Sequence, residues 1–516
     1  MFKIKFFVLL MLSLVPNNWT DDRGVCEMNA CQALEESLIQ LTEFADKIEE
    51  QNRTNDQFKN LERRLRSLEQ PIWNIVRDDS KWMDCAKGPC KCKPETKSLS
   101  CWQQEITQLP SDQILPYDVR AIDLGINGLT TLNKNSFSSL PYLNELDLFD
   151  NKIDFLPPDI FKQLNSLVYL RLHKNELEYL HSDLLVNLPN LRTFDVSANK
   201  LKSLPPNLFR ENKNLILLHL SRNELTSIPE VLFNKLEYLE DLDLSNNYLV
   251  TLPKFVFSDL KTLRRLHLSE NNITLLPTGV FDKLTNLELL NLRKNKITHL
   301  SDQLFGKMAN LKILQLTSNQ ISQISPNDFI SLISLVELHL GQNMINSLPE
   351  NAFLRNKDLE KLYLFSNNLE ELKEKTFNGL ISLTFLLINN NILKDISPRV
   401  FIYTPSLQKL QLDSNKFQYL PAKIFDPLTE LVSVKLAKNP WHCDCNILYL
   451  SLWIDANNNK IWDSDPSCRG PGYLGGLLLK DMTFDKLCEG QWASMLNLAA
   501  RIPVKPDGFN QNKTDN

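Results

Sequence analysis

Histidine and aspartate side chains recur at one position of a 24-residue pattern, and their types are suited to metal or proton chemistry. They are Asp195, His219, Asp243 and His267. Imidazole and carboxylate groups bind metals, and an imidazole also changes its charge near about pH 6.5. On successive strands roughly 4.8 Å apart, the two histidines would lie roughly 9–10 Å apart, too far for both to bind one zinc ion at about 2 Å. The pattern leaves two interpretations, a pH-sensitive surface for a partner or a solvated polar face.

A second set of side chains is suited to binding a protein. Tyr363, Phe365, Phe385 and Leu387 fall at positions expected to face outward on two adjacent strands. Exposed aromatic clusters often mark partner sites, so we expect these four side chains to be exposed and to contact a ligand. The alternative is that the cysteine-rich segment or the tail near the C-terminus covers them.

The element that must position both sets is a repeat of 24 residues. Asn recurs 14 times at this interval from Asn127 to Asn439, and a Phe follows ten residues after each of the first 13, except at Leu185. The unit reads L-x-x-L-x-L-x-x-N-x-L-x-x-L-P…F…L. This pattern resembles the extracellular type of the leucine-rich repeat. The resemblance implies an α/β leucine-rich repeat solenoid over residues 118–439, curved, with a concave parallel sheet made by about 14 repeats.

Physical arguments from the residues lead to the same architecture. One 24-residue unit is too small to bury its own apolar face, whereas stacked units bury each Leu and gain roughly 1.5–3 kcal/mol per side chain. The L-x-L segment alternates inside and outside as a strand does, so residues two and four before each Asn should line the concave face. The Asn amide can satisfy backbone groups at the bend after the strand, and the Phe row should fill the convex side.

The ten cysteines lie outside the repeats, within residues 26–101 and 443–488. Cys85, Cys90, Cys92 and Cys101 could bind zinc as a cluster, or form disulfides, as a secreted chain favours. Their spacing resembles the N-terminal cysteine cap of extracellular leucine-rich repeat proteins. This resemblance implies a cap at 85–117 with the pairs Cys85–Cys92 and Cys90–Cys101. A cap covers the Leu side chains and the strand edge that the first turn would otherwise expose.

A matching C-terminal cap is indicated by the stretch Asn439-Pro440-Trp441-His442-Cys443-Asp444-Cys445, followed by Trp453, Cys468, Pro471 and Cys488. The resemblance implies a cap at 440–488 with the pairs Cys443–Cys468 and Cys445–Cys488, and a tail at 489–516. His442 beside two cysteines suggests a metal site when taken alone, but the resemblance makes it a cap residue.

The N-terminal 80 residues precede the first cap. Residues 1–20 have the form of a secretory signal peptide, because Lys3 and Lys5 precede a short apolar run. Residues 21–80 carry apolar spacings of three and four that predict helices over 32–76. These helices form either a hairpin packed on the chain itself or a short coiled coil with another chain. Cys26 and Cys31 either pair with each other or link two chains, so this extension is a candidate for homo- or heterodimer formation.

The apolar runs also bear on location. The run at residues 6–15 is shorter than the about 20 residues that cross a membrane, and no second long apolar run follows. We therefore expect a secreted, extracellular protein without membrane insertion. The sequons at Asn52, Asn272 and Asn512 are then expected to carry glycans.

Composition and motifs argue against several functions. A net charge of −5 and a pI of about 5.9 give no global basic field for nucleic acid. Gly is scarce at 14 residues and forms no phosphate-binding loop, and the H-E-x-x-H and G-x-S-x-G patterns are absent. We expect no enzymatic activity, no cofactor, no bound metal and no nucleic-acid partner.

The function that remains is recognition of another protein. The chain is similar to the acid-labile subunit, the large subunit of carboxypeptidase N, and Slit- and Toll-type ectodomains over about residues 85–488. This implies a secreted, non-enzymatic module that binds an extracellular protein ligand or receptor on its concave face, in innate immunity or extracellular signalling. Two alternatives stay open, a non-catalytic carrier subunit of a secreted enzyme or hormone complex and a self-associating matrix component.

Overall fold

The structure is a computed structural model, and it describes residues 61–63, 66–67, 70, 73–78, 81–462 and 464–488. The predictions for the signal peptide at 1–20, for Cys26 and Cys31, for Asn52 and Asn512, and for the tail at 489–516 lie outside the described residues, as does most of the helical extension. The chain divides into two units, residues 1–69 and 70–516, and the second unit contains the repeats and both caps.

The repeats form a parallel sheet in which each row contributes one three-residue strand. The sheet has 16 strands in the order β2-β3-β5-β6-β7-β8-β9-β10-β11-β12-β13-β14-β15-β17-β19-β20, and only β2 and β3 pair antiparallel. The two remaining pairs, β1-β4 and β16-β18, form separate two-stranded sheets. The strands are β1 (Asn74–Val76), β2 (Lys91–Lys93), β3 (Ser98–Ser100), β4 (Ile114–Pro116), β5 (Ala121–Asp123), β6 (Glu145–Asp147), β7 (Tyr169–Arg171), β8 (Thr193–Asp195), β9 (Leu217–His219), β10 (Asp241–Asp243), β11 (Arg265–His267), β12 (Leu289–Asn291), β13 (Ile313–Gln315), β14 (Glu337–His339), β15 (Lys361–Tyr363), β16 (Glu371–Leu372), β17 (Phe385–Leu387), β18 (Asp395–Ile396), β19 (Lys409–Gln411) and β20 (Ser433–Lys435).

The helices of the described residues are short and belong mainly to the caps. They are α1 (Trp82–Cys85), α2 (Leu448–Ala456) and α3 (Phe484–Cys488), with 3-10 turns at Val400–Tyr403, Cys445–Ile447, Asn458–Lys460, Gly472–Leu474 and Leu479–Asp481. Residues 61–63 and 66–67 are also helical, as predicted for this part of the extension. Among the residues that the structure describes, no helix is long and apolar enough to cross a membrane. The parallel sheet, with one strand from each row, confirms the predicted solenoid.

Register in the sheet follows the repeat without a slip. Leu242 at the centre of β10 is buried and lies in register with Leu218 and Leu266 of the neighbouring strands. The side chains on either side of this central Leu point out of the core and form what we call the sheet face. The outward strand residues are those six and four before the ladder Asn, whereas the residue two before it follows the strand. The general prediction of positions two and four before the Asn omits the column six before it, although Phe385 in that column is itself predicted to face outward.

The ladder Asn closes each turn with its side chain. Asn247 Nδ2 donates to the carbonyl oxygens of Leu220 and Leu244 at 3.0 and 3.1 Å, and Asn247 Oδ1 accepts from the backbone N–H of Leu225 at 3.1 Å. The residue before the Asn has a positive φ, as at Ala198 with 52°. This left-handed turn leaves backbone groups unpaired, and the buried amide satisfies them.

The Phe row forms a stacked column in the core. Phe233, Phe257 and Phe281 are fully buried, with ring centroids 6.3 and 6.2 Å apart. Where the row has Leu185, the strand of the next row carries Phe194 in place of an aliphatic residue, and this ring meets Phe209 edge-on at 6.1 Å. An extra aromatic ring one row later offsets the volume that the smaller Leu185 lacks.

The prediction that the extension is helical as far as residue 76 is wrong at the C-terminal end of that range. Asn74–Val76 is strand β1, which pairs in parallel with β4. Pro71 restricts the residue before it and lacks a backbone N–H, and the β-branched Ile75 and Val76 favour a strand. Trp73 is buried, and Gln70 Nε2 donates to Thr131 Oγ1 at 3.0 Å. Residues 70, 73–78 and 81–84 therefore belong to the N-terminal end of the solenoid.

Four disulfides close the two caps. They are Cys85–Cys92, Cys90–Cys101, Cys443–Cys468 and Cys445–Cys488, which are the pairs implied by the resemblance. At the C-terminal end, the buried ring of Trp441 stacks on Phe417 with centroids 6.4 Å apart. The caps therefore terminate both ends of the hydrophobic core.

Candidate functional site

An aromatic patch occupies the sheet face on strands β14, β15 and β17. We define the aromatic patch as His339, Tyr363, Phe365, Phe385 and Leu387. Tyr363 lies in register with His339 on one side and Leu387 on the other. The rings of His339 and Tyr363 stack with centroids 4.1 Å apart and 14° between planes, and Phe385 meets Tyr363 at 5.6 Å.

Phe365 lies over a glycine of the preceding row. A Cβ atom on Gly341 would lie only 2.4 Å from ring atom Cε1 of Phe365, so the ring occupies the space of a missing side chain. Phe149 has the same relation to Gly125, where the distance would be 2.2 Å. Glycine thus lets an aromatic ring lie flat on the backbone of the sheet face.

The side chains of the patch are half-buried and not exposed as predicted. The reason is mutual stacking, because His339 covers one face of Tyr363 and Gly341 accepts the ring of Phe365. The alternative that the tail at 489–516 covers the patch lies outside the described residues. Because the stacked rings are already held in place, the side chains of the patch lose little conformational entropy when a partner binds.

A charged pair borders the aromatic patch. Lys361 Nζ lies 2.8 Å from Glu337 Oε1, and His339 Nε2 lies 3.1 Å from Glu337 Oε2. Burial opposes ionisation of Glu337, but these two partners lower the pKa of its carboxyl. Burial lowers the pKa of His339 and raises the pKa of Tyr363. At neutral pH the rings are therefore uncharged, and the charge stays at the edge of the patch.

The histidines and aspartates of the first candidate set do not form one group. His173 Nδ1 and His219 Nδ1 lie 3.4 and 3.9 Å from the same oxygen, Oδ2 of Asp195. Asp243 instead accepts a hydrogen bond from the backbone N–H of Ser245 in its own turn, at 2.9 Å. The structure therefore brings His219 together with Asp195 and His173, a residue that flanks the predicted set, and does not pair it with Asp243 and His267.

The pairing changes the pKa of both partners. Pairing with Asp195 raises the pKa of His219, and burial opposes this effect. For Asp195, burial favours the neutral carboxyl, but pairing with His219 and hydrogen bonds from Ser197 lower the pKa. No group of three or more His, Cys, Asp or Glu side chains within the described residues could hold a metal ion. The arrangement can respond to pH but does not form a metal site.

A groove of about 1000 Å³ lies between the last two rows and the C-terminal cap. Tyr419 lines it and donates its hydroxyl to Asp444 Oδ2 at 2.8 Å, and burial with this carboxylate raises the pKa of Tyr419 to about 12. Tyr449 donates to Asp426 Oδ1 at 3.2 Å, and burial raises its pKa as well. These tyrosines remain neutral hydrogen-bond donors that join the repeats to the cap, and the groove brings no nucleophile and base together.

The sequence contains a further signal for the patch, a Gly and a Phe placed one repeat apart. Gly125 and Gly341 are the two glycines found two residues before a ladder Asn, and a Phe stands 24 residues after each. A Gly followed one repeat later by Phe indicates a ring placed over a bare backbone. Asn272, the remaining predicted glycan site within the described residues, lies one residue after a ladder Asn, on the flank beside the sheet face.

Comparison with known proteins gives consistent results. The family model described as "Leucine rich repeat" matches residues 118–177, 141–201, 189–249, 237–297, 285–345, 333–391 and 381–440. Mouse carboxypeptidase N subunit 2 is 38% identical over 58 residues, which is 11% of each chain. The chain spans about a tenth of the length of the curated relatives it matches.

Solved structures resemble the solenoid over most of its length. The Toll–Spatzle complex of Drosophila, described as a hub in development and innate immunity, has 25% identity and a TM-score of 0.62, covering 74% of this chain and 57% of that chain. A TLR13–ssRNA13 complex has 26% identity and a TM-score of 0.57, covering 70% of this chain and 56% of that chain. The two neighbours are complexes with a protein and with a single-stranded RNA, respectively.

Proposed function

Because this chain belongs to the leucine-rich repeat family, of the extracellular type with cysteine caps, we propose that it is a secreted, non-enzymatic module that binds an extracellular protein ligand or receptor. The proposed contact surface is the aromatic patch on the sheet face. One observation carries the proposal, namely that half-exposed rings are held in place outside the core. Tyr363 stacks on His339 and meets Phe385 at a tilt, and Phe365 lies over Gly341.

The chemistry of the patch favours a protein over other partners. Aromatic residues are enriched in the cores of protein interfaces, and Tyr is enriched in binding hot spots. Lys361 is already paired with Glu337, so this lysine is less available to a phosphate backbone. Binding of single-stranded RNA combines base stacking with phosphate contacts, and the net charge of −5 disfavours the phosphate contacts here.

The biological setting we propose is innate immunity or extracellular signalling. The likeness to Toll in its complex with Spatzle supports this setting. Secretion through the segment 1–20, and dimer formation through Cys26, Cys31 and helices 32–76, are parts of the same proposal. Light scattering on the secreted protein, with and without reductant, tests the dimer, and a Cys26→Ser, Cys31→Ser variant identifies the bond responsible.

A second candidate function is that of a non-catalytic carrier subunit of a secreted enzyme. The similarity to carboxypeptidase N subunit 2 favours it. The two candidates differ in what is captured, because a carrier would bring down a protein with its own catalytic activity. A receptor or immune ligand would carry none.

Capture from extracellular fluid tests the proposed surface. The wild-type protein and a Tyr363→Ala, Phe365→Ala variant are immobilised at equal density, and bound proteins are identified by mass spectrometry. The matched control is a Tyr238→Ala, Tyr248→Ala variant, because these two tyrosines are exposed away from the sheet face. We expect the wild type and the control to retain the same partner and the patch variant to lose it. Equal capture by the patch variant would refute the proposed surface.

A further inference from the structure

A cluster of exposed apolar side chains lies on one flank of the solenoid. Tyr248, Val250 and Leu275 expose 54%, 50% and 45% of their surface, respectively. They lie within four residues after the ladder Asn of two adjacent rows. Single exposed apolar residues are ordinary, but a contiguous group usually has a cover.

Asn272 lies in the middle of this cluster. The backbone N–H of Asn272 donates to the carbonyl of Leu249 at 2.9 Å, and that of Thr274 donates to Val250 at 3.3 Å. This register puts Asn272 beside Tyr248 and Thr274 beside Val250, each at the same position of the neighbouring row, roughly 5 Å away. The side-chain amide of Asn272 makes no hydrogen bond to any described residue, and the side chain is half-exposed.

Asn272-Ile273-Thr274 is also a sequon, and it is the only one within the described residues. An Asn that starts a sequon accepts an oligosaccharide when the chain passes through the secretory pathway. The side-chain amide nitrogen bonds to C1 of the first N-acetylglucosamine of a lipid-diphosphate-linked donor. The C–O bond to the diphosphate breaks, the lipid diphosphate leaves, and the amide nitrogen loses one proton.

We propose that Asn272 carries an N-linked glycan whose first sugar packs on Tyr248 and Val250 and covers the apolar flank. The C–H face of a pyranose ring is apolar, so its contact with an exposed phenol ring removes apolar surface from water. The polar hydroxyls of the sugar then face solvent. This inference rests on the extracellular location in the proposed function, and it has a consequence for that function, because a glycan closes this flank to protein partners.

Occupancy is the first measurement. The protein is secreted from eukaryotic cells, released from its glycans by an amidase in ¹⁸O-labelled water, and digested for peptide mass spectrometry. We expect labelled Asp at position 272 in the wild type and none in Thr274→Ala. A secreted wild-type protein with unmodified Asn272 would overturn the proposal, even if binding at the aromatic patch persists.

A double-mutant cycle tests the packing of the sugar on Tyr248. Enzymatic removal of the glycan should lower the melting temperature of the wild type by about 2 °C, and should have a much smaller effect in Tyr248→Ala. The matched control is Tyr238→Ala, since Tyr238 is 61% exposed in the same stretch of the chain but lies 34 residues before Asn272 on the opposite flank. An equal glycan effect in Tyr248→Ala and Tyr238→Ala would show that the sugar does not pack on Tyr248.

A sequon placed at the equivalent position of another row distinguishes two properties of the site. One is whether the Asn is accessible for glycosylation, and the other is whether the sugar packs on a neighbouring tyrosine. Asn368 also follows a ladder Asn, and Glu370→Thr completes a sequon there. We expect this site to be glycosylated, with a smaller thermal effect than at Asn272, because the row before it carries Met344 where Tyr248 stands. A larger thermal effect at Asn368 would contradict the role given to the tyrosine.

Discussion

The ring of Phe365 lies over Gly341, one repeat earlier, at a distance that leaves no room for a Cβ atom. Replacing Gly341 with Ala should therefore push the Phe365 ring away from the sheet and disturb its neighbours in the aromatic patch. We expect the affinity for the captured partner to fall about tenfold or more, since misplacing an anchoring ring costs ~1–2 kcal/mol. Surface plasmon resonance on the wild type and on Gly341→Ala measures this loss of affinity.

Gly125→Ala is the matched control for this substitution. It displaces Phe149 in the same way, nine rows from the aromatic patch. Both variants should lose a similar small amount of thermal stability, whereas only Gly341→Ala should lose affinity. Equal affinity losses in both variants would mean that partner binding depends on the solenoid as a whole and not on the aromatic patch.

Pairing of His219 with Asp195 should make stability depend on pH. The folded-state pKa of His219 is raised, so its contribution is present below the unfolded pKa of about 6.5 and is lost as pH rises through the folded value. The folded-state pKa of Asp195 is lowered, so its contribution is present above about pH 4 and is lost below that range. We expect His219→Gln to cost about 0.5–1 kcal/mol at pH 5.5 and less at pH 8.

Thermal unfolding at the two pH values measures this difference. His267→Gln is the control, because His267 occupies the same column two rows later without a carboxylate partner in the described structure. If both variants change stability equally at pH 5.5 and pH 8, the pairing with Asp195 contributes nothing. A double variant that combines His219→Gln and His267→Gln tests the pH-sensitive partner surface. If its partner binding depends on pH as that of the wild type does, the pH-sensitive surface is excluded.

A half-buried carboxyl on the convex side, that of Asp328, should destabilise the protein at neutral pH. Burial raises the pKa of Asp328 to about 6, with a further contribution from Asp302. Its neutral form is favoured in the fold, so stability is gained below the folded pKa and lost as pH rises through it. Asp328→Asn should raise the melting temperature at pH 7.5 and change it little at pH 4.5.

The asparagine can keep the local turn intact. Asp328 Oδ2 accepts from the backbone N–H of Ser325 at 2.7 Å, and an Asn oxygen can accept the same bond. Asp302→Asn is the control, because it removes the neighbouring charge but leaves Asp328 in place, and should give a smaller gain. Differential scanning calorimetry measures the melting temperatures. If Asp328→Asn melts below the wild type at pH 7.5, the ionised carboxyl of Asp328 does not destabilise the fold.

The period of the sequence predicts the fold well because the core depends on it directly. Each central strand Leu and each ladder Asn makes contacts with residues one row away, as Asn247 does with Leu220 and Leu225, so position in the repeat determines the contact. Asp328 could also have been noticed, because Leu208, Leu232 and Leu304 hold the equivalent position in other rows.

The details of the sheet face depend on rotamers, which the period does not specify. Asp195 and Asp243 both accept a hydrogen bond from the serine of their own turn. The second oxygen of Asp195 also lies near His173 and His219. Tyr363 is less exposed than its strand position predicts, because the stacked ring of His339 covers part of its surface. The strand at Asn74–Val76 was missed because its partner, β4, lies outside the repeats.

Asn247 should be among the least replaceable residues of the solenoid. Asn247→Ala removes three donated bonds and one accepted bond. It leaves the carbonyls of Leu220, Leu244 and Ser245 and the N–H of Leu225 without this partner. An unpaired buried backbone group costs about 1–3 kcal/mol, so we expect a loss of about 3 kcal/mol or more. Asn286→Ala is the control, because the exposed Asn286 makes one bond, to the Lys261 carbonyl at 2.8 Å. Hydrogen exchange should show loss of protection confined to the rows around Asn247, and a loss no larger than that of Asn286→Ala would refute the structural role of the ladder.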